Sequence, residues 1–416
     1  MRRKAALLGG TTTIGDCAVA ARLLARPRQL VRGPGIEEYE RAFAAHVGVR
    51  HAFSFASGRV GLFGLLQAMG IGSGDEVLLQ VPTHIVVPNA IRFTGARPVF
   101  VDCRLDSYNM DLQAAERLVS PRTKALVLQH TFGIPADIDA ALELGRRHGF
   151  EVIEDCVHAL GATYRGRQVG SLGRAAFFST EETKTITTIM GGMAVTDDPE
   201  IAASLRDFQS ACAWPSVGVT VQYLLKFILY HFLTDPRLYP YSRTVYELTG
   251  RRQVAPGATS EEEKRGERPA EYEERLSSAQ AQLAIRQLGR LQANVDHRAR
   301  VASEYAARFS ALGFRPPAPS EQARSAMVRY PLWVEDRARA VEAAADHMVL
   351  GTWFTSVLEE ALTPAHGGYE SGSCPRAEAA ARHLVNLPTH GRVTDRDIEA
   401  ITEAIAGLRP PQRPPS

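Results

Sequence analysis

The chain has only five cysteines among 416 residues, Cys17, Cys103, Cys156, Cys212 and Cys374, with no CxxC pair and no histidine at a zinc-ligand spacing. That scatter argues against both a zinc module and a disulfide framework, so reduced thiols and no metal site are expected. Charge of one sign is also scarce. The formal net charge is +2, which offers nucleic acid no electrostatic footprint, and no nucleic-acid partner is expected. No apolar run is long enough to cross a membrane. The longest, VTVQYLLKFILYHFL, holds about 15 residues against the ~20 that a span requires, and it contains Gln222, Lys226 and His231. The opening MRRKAALLGG has too short an apolar stretch for a secretory signal, so a cytoplasmic protein is expected. No internal repeat is visible.

What is present is ordinary globular material, 45% hydrophobic and 23% charged, enough for a large core. Short β-rich runs, HAFSFAS, DEVLLQV, RPVFVD, TKALVLQH and FEVIED, alternate with segments of helical spacing such as GRVGLFGLLQAMG and DIDAALELGRRHG. The alternation predicts an α/β fold, a mostly parallel central sheet flanked by helices. From RYPLWV onward a smaller C-terminal α/β unit is expected. In open sheets of this kind ligands gather at the carboxyl ends of the strands, so the residues just beyond each strand are the candidates.

After HAFSF come Ser57, Gly58 and Arg59 and then an apolar helix, a junction whose N–H groups suit an anion; an ordinary N-cap by Ser57 reads the same residues equally well. After DEVLLQV comes His84, which alone carries little weight. FEVIED ends in Glu154-Asp155, with His158 three positions on; a buried Asp155 needs a cationic or donor partner, or it merely caps the next turn. Lys184 follows 29 residues later in FFSTEETKTITTIMGG. It is either a surface charge beside Glu181 and Glu182 or an amine made nucleophilic by burial. Pyridoxal phosphate chemistry needs such a lysine, an anion for the ring nitrogen, a phosphate site and a group on the ring face, and each part is on offer.

The chain resembles the DegT/StrS family of pyridoxal-phosphate-dependent sugar aminotransferases, of fold-type I. The resemblance runs from GPGIEEYERAFAAHVGVRHA to NLPTHGRVTDRDIEAITEAI, through GIGSGDEVLL, NAIRFTGARPVFVDCRLDSYNMD, SPRTKALVLQHTFGIPADID, EDCVHALGATYRGRQVGSLG and FFSTEETKTITTIMGG. It implies that Lys184 holds the cofactor covalently and later shuttles a proton. It implies that Asp155 pairs with the pyridinium nitrogen, that His158 lies near the ring hydroxyl, and that His84 stacks on the ring. Ser179, with Ser57, Gly58 and Arg59, would hold the phosphate. A homodimer with shared active sites is implied too.

Three departures bear on the substrate. Arg59 stands where the family has threonine and would add a charged contact to the phosphate. Ile189-Met190-Gly191-Gly192 replaces the family's GEGG, losing a carboxylate. Glu273-Glu274-Arg275 stands for Asn-Tyr-Arg, and a glutamate would repel a phosphate. The implied units are an N-terminal segment 1–30, a large cofactor-binding domain 31–268 with an apolar insertion at about 213–250, a helix and small domain 269–410, and a disordered tail 411–416. Within the insertion, Gln222, Lys226 and Tyr230 are expected on one polar helical face. That predicts a helix docked on the body or a dimer partner, with peripheral membrane contact through 217–245 as the alternative. The stretch ATSEEEKRGERPAEYEER reads as a mobile loop before one long helix, SSAQAQLAIRQLGRLQANVDHRARVASEYAARF. The leading reading is transfer of an amino group from an amino acid, glutamate being usual in the family, to a nucleotide-linked keto-sugar. A lyase or decarboxylase is the second reading, suggested by His84, and a non-catalytic homologue the third.

Overall fold

The structure, a computed structural model, describes residues 4–241 and 259–408. The tail 411–416 and residues 242–250 of the insertion lie outside the described residues.

All five expected strands form: β1 (His51–Phe55), β2 (Glu76–Gln80), β3 (Arg97–Val101), β4 (Thr123–Gln129) and β5 (Glu151–Asp155). Two more, β6 (Ala175–Ser179) and β7 (Gly192–Thr196), complete a seven-stranded sheet in the order β1-β7-β6-β5-β4-β2-β3. Only β7 runs against the rest, pairing antiparallel with β6 and β1. The central strands are buried over nearly all of their length, as in EVLLQ of β2, with only Lys124 of β4 and Glu151 of β5 exposed near their starts. Such burial follows from helices covering both faces, and two apolar clusters fill the two sides of the sheet.

A third core sits at the C-terminal end, where the antiparallel pair Arg329–Trp333 and Leu384–Pro388 is packed by the helices Leu291–Ala311, Arg337–Ala344 and Asp395–Ala406. The chain's beginning belongs to it. Ala5 bridges Met348, and the Ala6 carbonyl accepts from His390 Nε2 at 2.9 Å.

The insertion forms the helix Val217–Leu233, started by Ser216, whose hydroxyl accepts from Val219 N–H. It is docked on the body through Thr220, Leu224, Phe227 and Tyr230, which pack against Ala20, Leu23, Ala279, Leu283 and Ile189. Tyr230 is therefore not on the polar face with Gln222 and Lys226. It is 3% exposed and donates to the Glu182 carbonyl at 2.7 Å. Leu225, Leu229 and Phe232 remain exposed. No described helix is long and apolar enough to cross a membrane.

Two other expectations are corrected. Residues 259–275 are tied down: Ser260 caps a short helix, Glu261–Lys264, and Glu263 is 3% exposed because Arg59 pairs with it. The long helix is two, Ser278–Leu288 and Leu291–Ala311, interrupted at Gly289 and Arg290.

Candidate active site

Five of the six strands that run one way, all but β3, deliver their carboxyl ends to one cavity of about 1010 Å³. Ser57, Gly58 and Arg59 follow β1, His84 follows β2, Asp155 ends β5 and Ser179 ends β6. Together with His158 and Lys184 they line its wall, so all eight residues singled out from sequence face one space.

Lys184 sits in the loop between β6 and β7. That loop is fixed from beneath by amide side chains of the two helices behind it. Gln280 donates to the Met190 carbonyl at 2.7 Å, Gln287 to Thr187 at 2.6 Å and Asn294 to Thr185 at 2.5 Å. The lysine is 8% exposed and, among the described residues, has no carboxylate within 4.0 Å. Its Nζ lies 4.9 Å from the ring centre of Trp353. Burial, helped by the charge of Arg329 and opposed by Glu181, Asp155 and Glu360, pulls its ammonium down to about 8. The surface-charge reading fails on burial, and the amine loses its proton far more readily than a solvated lysine.

Asp155 bears out the turn-capping reading with one oxygen and leaves the other open. Oδ1 accepts from Val157 N–H at 3.1 Å, capping the turn, while buried Oδ2 has no partner. Burial pushes its carboxyl up to about 6, against the pull of the Val157 N–H, His130 and Lys184. An orphaned carboxylate oxygen in a cavity wall is what a protonated ring nitrogen would satisfy. Its neighbour Glu154 points the other way. It accepts from Gly170, Leu172 and Gly173 N–H, and from His130 Nε2 at 3.2 Å. His130 Nδ1 accepts from Ala136 N–H, so Nε2 carries the proton. Cys156 lies beside this pair, but the set is already satisfied by hydrogen bonds.

His158 packs its ring on Trp353 at 4.7 Å and leaves Nδ1 without a partner. Burial and the charges of Lys184 and Arg329 keep it neutral, its pKa well below the usual value. His84 Nδ1 accepts from Val86 N–H at 3.4 Å, which directs its Nε2 proton to Glu360 at 3.5 Å.

At the β1 end, Ser57 makes no side-chain cap to the helix Gly58–Ala68. The first N–H groups of that helix are thus left for an anion. The turn lies flush against its neighbours: a Cβ on Gly58 would stand 2.9 Å from the Phe178 carbonyl, and one on Gly192 would stand 2.3 Å from Gly58 N. Ser179 Oγ is beside it, accepting from Glu181 N–H at 3.2 Å. Arg59, expected on the phosphate, directs NH1 to Glu263 at 2.6 Å and Nε to Ser57 Oγ at 3.3 Å. The backbone of Glu273-Glu274-Arg275 pairs with Ala213 and Phe55, and none of the three lines this chain's cavity.

Sequence reading missed Arg329, Trp353, Tyr230 and Glu360, all of which line the cavity. Arg329 had left a signal, a charge at the head of the fully buried strand RYPLW.

The profile of the DegT/DnrJ/EryC1/StrS aminotransferase family matches residues 16–223 and 232–406. The chain is 31% identical over 379 residues to GDP-perosamine synthase of Caulobacter vibrioides, covering 90% of each protein. It is 31% identical over 392 residues to the spore coat polysaccharide biosynthesis protein SpsC of Bacillus subtilis, covering 91% of this chain and 90% of that one. Among solved structures it resembles DesV of S. venezuelae, determined with a ketimine intermediate, with a TM-score of 0.74, 29% identity and 94% of each chain covered.

Proposed function

Because the chain belongs to the DegT/DnrJ/EryC1/StrS aminotransferase family, we propose that it moves an amino group from an amino acid, glutamate first among candidates, to the ketone of a nucleotide-linked sugar. Pyridoxal phosphate is the cofactor of this reading, held in the Lys184 cavity. The single observation that carries it is the meeting, in one cavity, of an unpaired buried amine, Lys184, with an orphaned carboxylate oxygen, Asp155 Oδ2. The names of the relatives, one a GDP-perosamine synthase and one a spore coat polysaccharide protein, support a sugar acceptor.

When bound, pyridoxal phosphate supplies an electron sink for the bonds of an amino-acid carbon. The protein's share is position and protons. Asp155 Oδ2 would accept a hydrogen bond from the protonated ring nitrogen and keep the proton there. The open N–H groups at Gly58, with the hydroxyls of Ser57 and Ser179, would hold the phosphate. His84 would contact the ring, and neutral His158 would offer Nδ1 as an acceptor. Lys184 would anchor the cofactor and, when free, hold or move a proton with an amine whose affinity suits work near neutrality. The homodimer implied by the family belongs to this reading.

The test is a panel of amino acids offered to purified holoenzyme, followed by a nucleotide-linked keto-sugar. We expect a 2-oxo acid to form and the amino group to appear on the sugar. Carbon dioxide release in place of the 2-oxo acid would replace this reading with decarboxylation. Borohydride should fix the cofactor to wild-type protein but not to Lys184→Ala.

A further inference from the structure

Arg329 is 6% exposed, yet its side chain lies in the cavity wall. Its guanidinium has no hydrogen bond, and no carboxylate within 4.0 Å, among the described residues. Other buried arginines are engaged. Arg298, at 2%, donates to Asn294, to the Val328 carbonyl and to Thr389, and Arg59 is paired with Glu263. The acids whose charge reaches Arg329 are committed elsewhere. Glu181 Oε2 accepts from the Thr183 N–H and hydroxyl at 2.9 and 2.6 Å. Glu359 Oε2 accepts from the Thr355 N–H and hydroxyl at 2.5 and 3.0 Å.

A buried, unpaired guanidinium is costly to keep. Burial draws it down to about 10, which still leaves it charged at neutral pH. Its planar fork of N–H donors matches a carboxylate. The guanidinium carbon lies over the Trp353 ring, 4.3 Å from its centre. The same indole touches the His158 ring and lies 4.9 Å from Lys184 Nζ. One side chain therefore contacts both the anion-binding group and the reactive amine.

We propose that Arg329 is the receptor for a carboxylate of the substrate, held beside Trp353 in the cavity that Lys184 also lines. This rests on the aminotransferase reading for its chemistry, but not for its binding. The carboxylate comes from one of two sources: the α-carboxylate of the amino donor, or an acid group on the sugar.

Calorimetry on holoenzyme with succinate, which cannot react, tests the site, with inorganic phosphate as control. Arg329→Gln should weaken succinate by about 10- to 100-fold, Arg329→Lys should recover part of that, and phosphate should bind no better to wild type than to Arg329→Gln. Both variants should melt within a few degrees of wild type without ligand, since only the contact with Trp353 and no hydrogen bond or ion pair is lost; a marked fall would make Arg329 structural and overturn the proposal. So would unchanged succinate affinity, or an Arg329-dependent preference for phosphate. Sources separate in the half-reactions. A raised half-saturation for L-glutamate alone assigns the donor, and one for the aminated sugar alone assigns the acceptor. Arg329-dependent succinate binding in an enzyme inert to every amino acid would leave the site standing and sink the transamination reading.

Discussion

Two residues of the cavity are held against their charged forms, and the sign of that cost differs between them. The Asp155 carboxyl rises from 3.8 to about 6 in the fold. The folded chain therefore binds its proton more tightly, and the stability this gives is lost as pH rises through 6. Lys184 falls from 10.5 to about 8. The unfolded chain is the one that holds that proton, so stability is gained as pH rises from about 8 to 10.5. Asp155→Asn should accordingly stabilise the cofactor-free protein at pH 7.5, by up to about 3 kcal/mol, while turnover of the loaded enzyme falls by about 10²-fold or more. Urea titration and steady-state rates measure the two halves; loss of both stability and turnover would mean the carboxylate is structural. At this scale the sequence was informative wherever a polar residue ended an apolar strand, as Asp155 and Ser179 do. It was silent on Trp353, because nothing near LGTWFTS announces that its indole reaches His158 and Lys184.

Two close approaches hold the elements in place. β7 and the Ser57-Gly58 turn meet so tightly that Gly192→Ala, with its Cβ 2.3 Å from Gly58 N, must displace the turn at about 1–3 kcal/mol. Equilibrium dialysis should find cofactor affinity reduced by about 5- to 100-fold, at 1.4 kcal/mol per tenfold, with far-UV dichroism retained. The second approach explains a departure from the family. Ile189, which stands in the altered GEGG segment, is buried with Leu224, Phe227 and Tyr230. The apolar side chain at 189 is thus the consequence of a helix laid over the loop, while the lost carboxylate falls one residue on, at Met190 in the cavity wall. Ile189 adopts φ 70°, a conformation that disfavours β-branched residues, and the apolar contact offsets that strain. Phe227→Ala should cost about 3–5 kcal/mol, read as a lower urea midpoint. β6 and β7 escaped the sequence reading because their residues, AAFFS and GMAVT, flank the lysine loop without period-2 alternation, both faces being buried. The five recognised strands had turn residues and helical segments to set them apart.

For the whole molecule, the order of the strands places the cavity, and residues 6–8 close it together with residues 350–352. Ala6, Leu7 and Leu8 stand in its wall beside Leu350, Gly351 and Thr352, an arrangement with no local signal in MRRKAALLGG. His390, held neutral by burial at a pKa of about 3, donates to Ala6. Deleting residues 1–9 should lower the melting temperature and raise the half-saturation for substrate, with the isolated-strand core of the sheet intact by hydrogen exchange. The contact between Ala6 and His390 spans 384 residues. At about 5–20 residues per second, synthesis separates the two partners by roughly 20–80 s. Ala6 to Leu8 likewise emerge well before Leu350 to Thr352, which meet them in the cavity wall, so a nascent chain can bury its central sheet before it can retain a substrate.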